Sequence, residues 1–201
     1  MILNPYKTKG VKELGIVDIS GIVNEICAIP ESLWDEQNKN KPNNFYEFYH
    51  TKHIIFKFVH DLNDCTKSYE FPIWKDWKDK ILPVLEEAVK PYGYTNGEFS
   101  RIMLAKLSAG GNIKAHKDGN AAATFPHKIH IPIQTNEKVM FFVNPKSYYF
   151  EKGKGYEVNN LAPHYVENMG DQDRIHLIFE YFNPEHIPEN STFSIKADED
   201  I

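Results

Sequence analysis

RIHLIFEYF, residues 174–182, alternates two kinds of side chain with a period of two. Ile175, Leu177, Phe179 and Tyr181 make a continuous apolar face, opposed by Arg174, His176, Ile178 and Glu180. Successive strand residues point to opposite sides of a sheet, so the stretch predicts a strand with a core face and a second face that starts cationic. An arginine turned into a barrel is costly unless it meets an anion. That anion is either an acidic ligand, which a guanidinium grips with two parallel N–H donors, or an acidic neighbour in an internal ion pair. The segment alone leaves both open. HKIHIPIQT (127–135) repeats the pattern, with Lys128 and His130 on one face and Ile129, Ile131 and Ile133 on the other.

Working outward, FSRIMLAKLSAGG (99–111), KVMFFVN (138–144) and YYFEKGKGYEV (148–158) are further short strands divided by turn residues. This spacing is of the β-sandwich or barrel kind. The first third mixes helices with strands. Ser20 is placed to cap a short helix carrying Ile22, Val23, Ile26 and Ile29, stopped by Pro30. LWDEQNKNKPNN (33–44) reads as a polar connection, and TKHIIFKFVHD (51–61) as a strand. WKDWKDKILPVLEEAVKPYG (74–93) puts Trp74, Trp77, Ile81, Leu85 and Val89 on one helical stripe, with Pro83 expected to kink it. We expect one domain over 1–201: a helix/strand part (1–97), a β core (98–190) and a mobile acidic tail (191–201) containing IKADED.

Composition narrows the function. With 201 residues, 41% hydrophobic, the chain can bury a sizeable core. A net charge of -5 argues against non-specific nucleic-acid binding, which wants a basic surface. Cys27 and Cys65 form no CxxC pair, which suits a reduced, cytoplasmic protein. No signal-peptide pattern is visible, and no apolar run approaches the roughly 20 residues a membrane helix needs.

GGNIKAHKDGN (110–120) sets His116 and Asp118 two apart, on one side if a strand persists through them. One imidazole and one carboxylate leave a divalent metal underligated. NNLAPHYVENMGD (159–171) offers His164 in a polar segment between two strands. Two histidines and a carboxylate on one face of an octahedron, with the other positions open, suit non-haem Fe(II). The plainer readings are a turn at Asp118-Gly119-Asn120 and a solvated loop histidine.

The run from about residue 100 to 189 resembles the aspartyl/asparaginyl β-hydroxylase family of Fe(II)/2-oxoglutarate oxygenases. The likeness is carried in order by GGNIKAH, KIHIPI, EKGKGYEVNNLAPHYVENMG and DRIHLIFEYFNPEHIP. It implies a mainly β, cupin-like double-stranded β-helix (jelly roll) with flanking helices drawn mostly from the N-terminal half. It also implies His116 and His164 as iron ligands and Arg174 as the clamp on the distal carboxylate of 2-oxoglutarate. His130 falls near the carboxylate that chelates iron, with Lys128 in the place of an arginine. Animal members lack a carboxylate where Asp118 stands, so the complete ligand set looks restored here, which favours hydroxylation over halogenation. A serine that assists the clamp in those enzymes falls on Ala105. The implied reaction consumes 2-oxoglutarate and O2 and hydroxylates an unactivated carbon of an amino acid, free or in a peptide. Two rivals stand beside it: a non-catalytic cupin-like module that holds a metal or small acid, and a Zn(II) hydrolase, for which the clamp has no use. His50, His53, His60, His127 and His186 read as surface or structural, and His176 as a buried, hydrogen-bonded neighbour of Arg174.

Overall fold

A computed structural model describes residues 6–42, 46–143 and 145–187. The stretch IKADED lies outside the described residues. Three strands precede the β core: β1 (Val11–Ile16), β2 (Thr51–Asp61) and β3 (Asp64–Glu70). Helices α1 (Val23–Cys27), α2 (Glu31–Lys39) and α3 (Trp74–Val89) lie among them. Eight strands follow: β4 (Glu98–Leu107), β5 (Asn112–His116), β6 (His127–Gln134), β7 (Val139–Val143), β8 (Lys146–Tyr148), β9 (Lys154–Val158), β10 (His164–Asn168) and β11 (Arg174–Phe182).

These strands form two antiparallel sheets, one ordered β1-β9-β6-β11-β4-β2-β3 and the other β5-β10-β7-β8. From β4 onward the chain passes back and forth between them, which is the winding of a double-stranded β-helix. The N-terminal half does more than flank this core, because β2 and β3 extend the large sheet beyond β4 and β1 extends it beyond β9.

β11 is buried along its whole length, at the centre of the large sheet. Leu177 and Phe179 on its outer face join Ile129, Ile131 and Ile133 of β6 beneath Trp74, Ile81 and Leu85 of α3. Each such side chain contributes about 1.5–3 kcal/mol by leaving water. The α3 stripe is as expected, and the helix continues through Pro83, an exposed position. The inner face of β11 looks toward the small sheet and forms the wall of the site.

Three local expectations need correction. Ser20 caps nothing: α1 begins at Val23 with no side-chain cap, and Ser20 N–H instead donates to Asp18 Oδ1 at 2.9 Å. Residues 31–39, read largely as a connection, are helix α2, started by Pro30 and held by one buried anchor, Trp34, under the Lys106 ammonium. A single inward ring leaves almost no periodicity to detect. Finally, His164 does not lie between strands but opens one, the short β10.

Candidate active site

His116 ends β5 and His164 begins β10, and the antiparallel register makes them direct partners across the two strands. Their ring centroids lie 4.3 Å apart. The strand ends at His116, so period-two alternation does not deliver Asp118. A backbone bond does: Asp118 N–H donates to the Asn160 carbonyl at 2.9 Å and ties the segment to the connection between β9 and β10. Asp118 Oδ1 then sits 3.8 Å from His116 Nε2. One ligand atom from each of His116, Asp118 and His164 falls within 4.8 Å of the others.

Each imidazole is held by its far nitrogen. His116 Nδ1 lies 2.7 Å from the Lys114 carbonyl, and His164 Nδ1 lies 2.9 Å from the Ala162 carbonyl. A carbonyl only accepts, so both Nδ1 atoms carry the proton and both Nε2 lone pairs remain free for a metal. Phe48 meets the His116 ring edge-on and Phe141 lies parallel to the His164 ring. Burial pushes the His164 pKa down to about 4, keeping it neutral, as a ligand must be. Burial alone raises that of Asp118, but the Lys128 ammonium and the facing histidines outweigh it and hold the carboxyl below its usual range. Lys128 Nζ donates to Asp118 Oδ2 at 2.5 Å.

The three residues line a cavity of about 100 Å³ whose wall includes Arg174, His130, Lys128 and Ala105. Arg174 is 1% exposed. Its Nη2 donates to His176 Nδ1 at 2.6 Å, since a guanidinium has no acceptor, while its Nε and Nη1 are buried without partners. Burial with no anion nearby pushes its pKa down to about 9. Among the described residues no acidic side chain pairs with Arg174, so the internal ion pair is not its role. His176 and His130 are also buried, and burial, then Arg174, holds both well below the ordinary histidine value. Ala105 stands across from His176 on β4 and offers no side-chain donor.

Residues 72–184 match the sequence profile described as Aspartyl/Asparaginyl beta-hydroxylase. The chain belongs to that family. As a member of the aspartyl/asparaginyl β-hydroxylase family it is a 2-oxoglutarate-dependent hydroxylase whose cofactors are Fe(II), 2-oxoglutarate and O2. No curated protein matches the chain in sequence. Solved structures share the fold at low identity. A prolyl hydroxylase from Trichoplax adhaerens, in complex with a hypoxia inducible factor peptide fragment, superposes with a TM-score of 0.58 at 10% identity, covering 89% of this chain and 86% of that one. The viral collagen prolyl hydroxylase of Paramecium Bursaria Chlorella virus-1 gives 0.54 at 12%, covering 86% and 96%. A 2OG-Fe(II) oxygenase family oxidoreductase from Burkholderia pseudomallei gives 0.53 at 12%, covering 77% and 79%.

Some of the cavity wall was not anticipated. His53, read as surface or structural, is buried there, and burial, then Lys41, pushes its pKa down to about 3. Arg101 and Glu180 line the same cavity as a buried ion pair, 2.6 Å between Nη1 and Oε2. The alternation that singles out Arg174 also puts Arg101, Met103 and Ala105 on one face of FSRIMLAKL, so the sequence carries the same signal for Arg101. Cys27 and Cys65 are free thiols, and among the described residues no helix is long and apolar enough to cross a membrane.

Proposed function

We propose that His116, Asp118 and His164 hold Fe(II), that Arg174 receives the distal carboxylate of 2-oxoglutarate, and that the enzyme hydroxylates an unactivated carbon of an amino acid, free or within a peptide. The observation that carries this is the juxtaposition, in one cavity, of a two-histidine, one-carboxylate cluster and a buried guanidinium with two unpartnered nitrogens. The donor set suits ferrous iron with open positions, and the orphaned N–H groups of Arg174 call for an anion.

When bound, iron and cosubstrate supply the oxidising chemistry, in which 2-oxoglutarate loses CO2 to become succinate and one oxygen atom of O2 ends on the substrate carbon. The protein supplies position. The Lys114 and Ala162 carbonyls fix the tautomers of the two histidines. Lys128 occupies Asp118 Oδ2 and leaves Oδ1, the oxygen nearer His116, to face a cation through a single atom. His176 accepts from Arg174 Nη2 and so orients the guanidinium, leaving Nε and Nη1 as the donors for a carboxylate. His130, neutral and at the cavity wall between Arg174 and the cluster, completes the cosubstrate side.

The test is aerobic incubation with Fe(II), 2-oxoglutarate and a pool of amino acids and short peptides, following succinate and any product heavier by one oxygen. Succinate release coupled to such a product, and lost in His116→Ala, Asp118→Ala and His164→Ala, is expected. Undiminished turnover in any of the three variants overturns the ligand assignment. Iron binding without succinate from any member of the pool returns the reading to a binding module.

A further inference from the structure

We propose that Arg101 and Glu180 form the substrate end of the cavity and take the head group of a free α-amino acid, the guanidinium receiving its carboxylate and the Glu180 carboxylate its ammonium. This rests on the metal and cosubstrate assignment above and narrows its substrate class.

The register of β11 separates the two charged ends. Arg174 pairs with Leu107 of β4, whereas Glu180 pairs with Arg101 of β4 and Lys128 of β6. Six residues (180 minus 174) on one strand face put roughly 20 Å of backbone between them. Met103, Ala105 and Ile178 fill the wall in between. The cavity therefore has a cationic end at Arg174, an apolar middle, and a second end where the Arg101–Glu180 pair stands beside Lys128, whose ammonium is taken up by Asp118. A dicarboxylate cosubstrate uses the first end, and the second is left for the molecule to be oxidised.

Arg101 and Glu180 are 5% and 2% exposed. A buried ion pair generally adds little stability over an apolar pair of the same size, and apart from Ser100, which donates to Glu180 Oε2 at 3.3 Å, the positions beside the pair along the two strands are apolar. The pair is also pre-set for a ligand. Arg101 Nη2 donates to Asn120 Oδ1 at 3.0 Å, its guanidinium lies 5.0 Å from the Phe58 ring centroid, and its Nε is buried with no acceptor. An incoming carboxylate finds that donor ready. A free amino acid brings one charge of each sign and so satisfies both members of the pair at once. A residue inside a peptide carries neither α charge and leaves Arg101 and Glu180 paired as charges only with each other, with Arg101 Nε still without an acceptor, and a simple acid brings no donor for Glu180 beyond Arg101 and Ser100.

The experiment uses the full chain loaded with Fe(II) and 2-oxoglutarate. An anaerobic metal-to-ligand charge-transfer band first establishes that metal and cosubstrate are bound. Succinate release is then measured with an equimolar mixture of L-α-amino acids and with the same mixture as N-acetyl amides. The free mixture should stimulate release, and the blocked mixture should fall at least about 100-fold lower, as expected when a site built for polar groups loses them. The double variant Arg101→Met/Glu180→Met should keep the band and lose the stimulation by a similar factor, and Glu180→Gln should lose it with the band intact. Equal stimulation by the blocked mixture, no stimulation by the free one, or full stimulation of the double variant overturns the proposal. A wild-type protein without the band instead removes the metal and cosubstrate reading, and this inference with it.

Discussion

Replacing Arg174 by methionine separates a cosubstrate clamp from a structural arginine, because the two roles predict opposite balances. Without an anion the guanidinium is buried with Nε and Nη1 unpartnered, so the metal-free protein carries an uncompensated charge. Exchanging such a charge for an apolar chain of similar length gains about 1–4 kcal/mol. Against this, His176 Nδ1 loses the donor now 2.6 Å away and keeps only the longer contact to His130 Nδ1 at 3.4 Å, a loss of up to about 1–3 kcal/mol. The two largely offset, so urea denaturation should find the metal-free variant between about 2 kcal/mol less stable and about 3 kcal/mol more stable than wild type. Cosubstrate binding should suffer far more. Removing one partner of a buried, hydrogen-bonded charge pair costs about 3–5 kcal/mol, or roughly two to three and a half decades in the Kd for 2-oxoglutarate. The assay is anaerobic titration of the Fe(II) protein with 2-oxoglutarate, read by its visible band. A variant that unfolds far more easily while binding 2-oxoglutarate with wild-type affinity would refute the reasoning.

Three further outcomes follow from the same geometry. Lys128→Met frees Asp118 Oδ2 and should weaken Fe(II) binding about 10–100-fold in an anaerobic competition titration; unchanged affinity would show that Lys128 does not steer the ligand. Gly97→Ala should destabilise by about 1–3 kcal/mol in urea, since an added Cβ would stand 1.8 Å from Oη of Tyr181, a buried ring stacked on Tyr94. The metal-free protein should lose stability as pH falls below about 6.5, because burial depresses His53 to about 3 and holds His130 and His176 well below the ordinary value. The unfolded chain then binds protons the native state refuses, up to about 1.4 kcal/mol per pH unit for each of the three, so equal stability at pH 5.5 and 7.5 would count against their neutral burial.

The parts of this molecule legible in the sequence are those where periodicity and chemistry agree over many residues. RIHLIFEYF shows its two faces because every position of β11 is buried, so selection of side chain by side is strict at all nine places. HKIHIPIQT does so because six of the eight positions of β6 are buried, its three isoleucines among them. α2 was hidden because Trp34 is its one buried residue, and a lone anchor makes no stripe. β1 escaped notice because a register shift between Glu13 and Gly15, with Gly15 at a φ of 111°, breaks its alternation. The candidate site was half visible. His116 and His164 are partners only because β5 and β10 pair, a contact between segments far apart along the chain, and it was family resemblance rather than spacing that joined them. Asp118 reaches them through a bond to the Asn160 carbonyl that no local pattern encodes. His53, Arg101 and Glu180 meet the cavity through sheet register, and register is a property of the assembled barrel.

The most direct measurement is the visible spectrum of the protein titrated anaerobically with Fe(II) in the presence of 2-oxoglutarate. One charge-transfer band should grow to a stoichiometry of one iron per chain, vanish in His116→Ala and His164→Ala, and persist in His127→Phe, whose imidazole is bonded to Glu157 and Tyr94 away from the cluster. A band of wild-type strength in either ligand variant, or none in the wild type, would contradict the assignment.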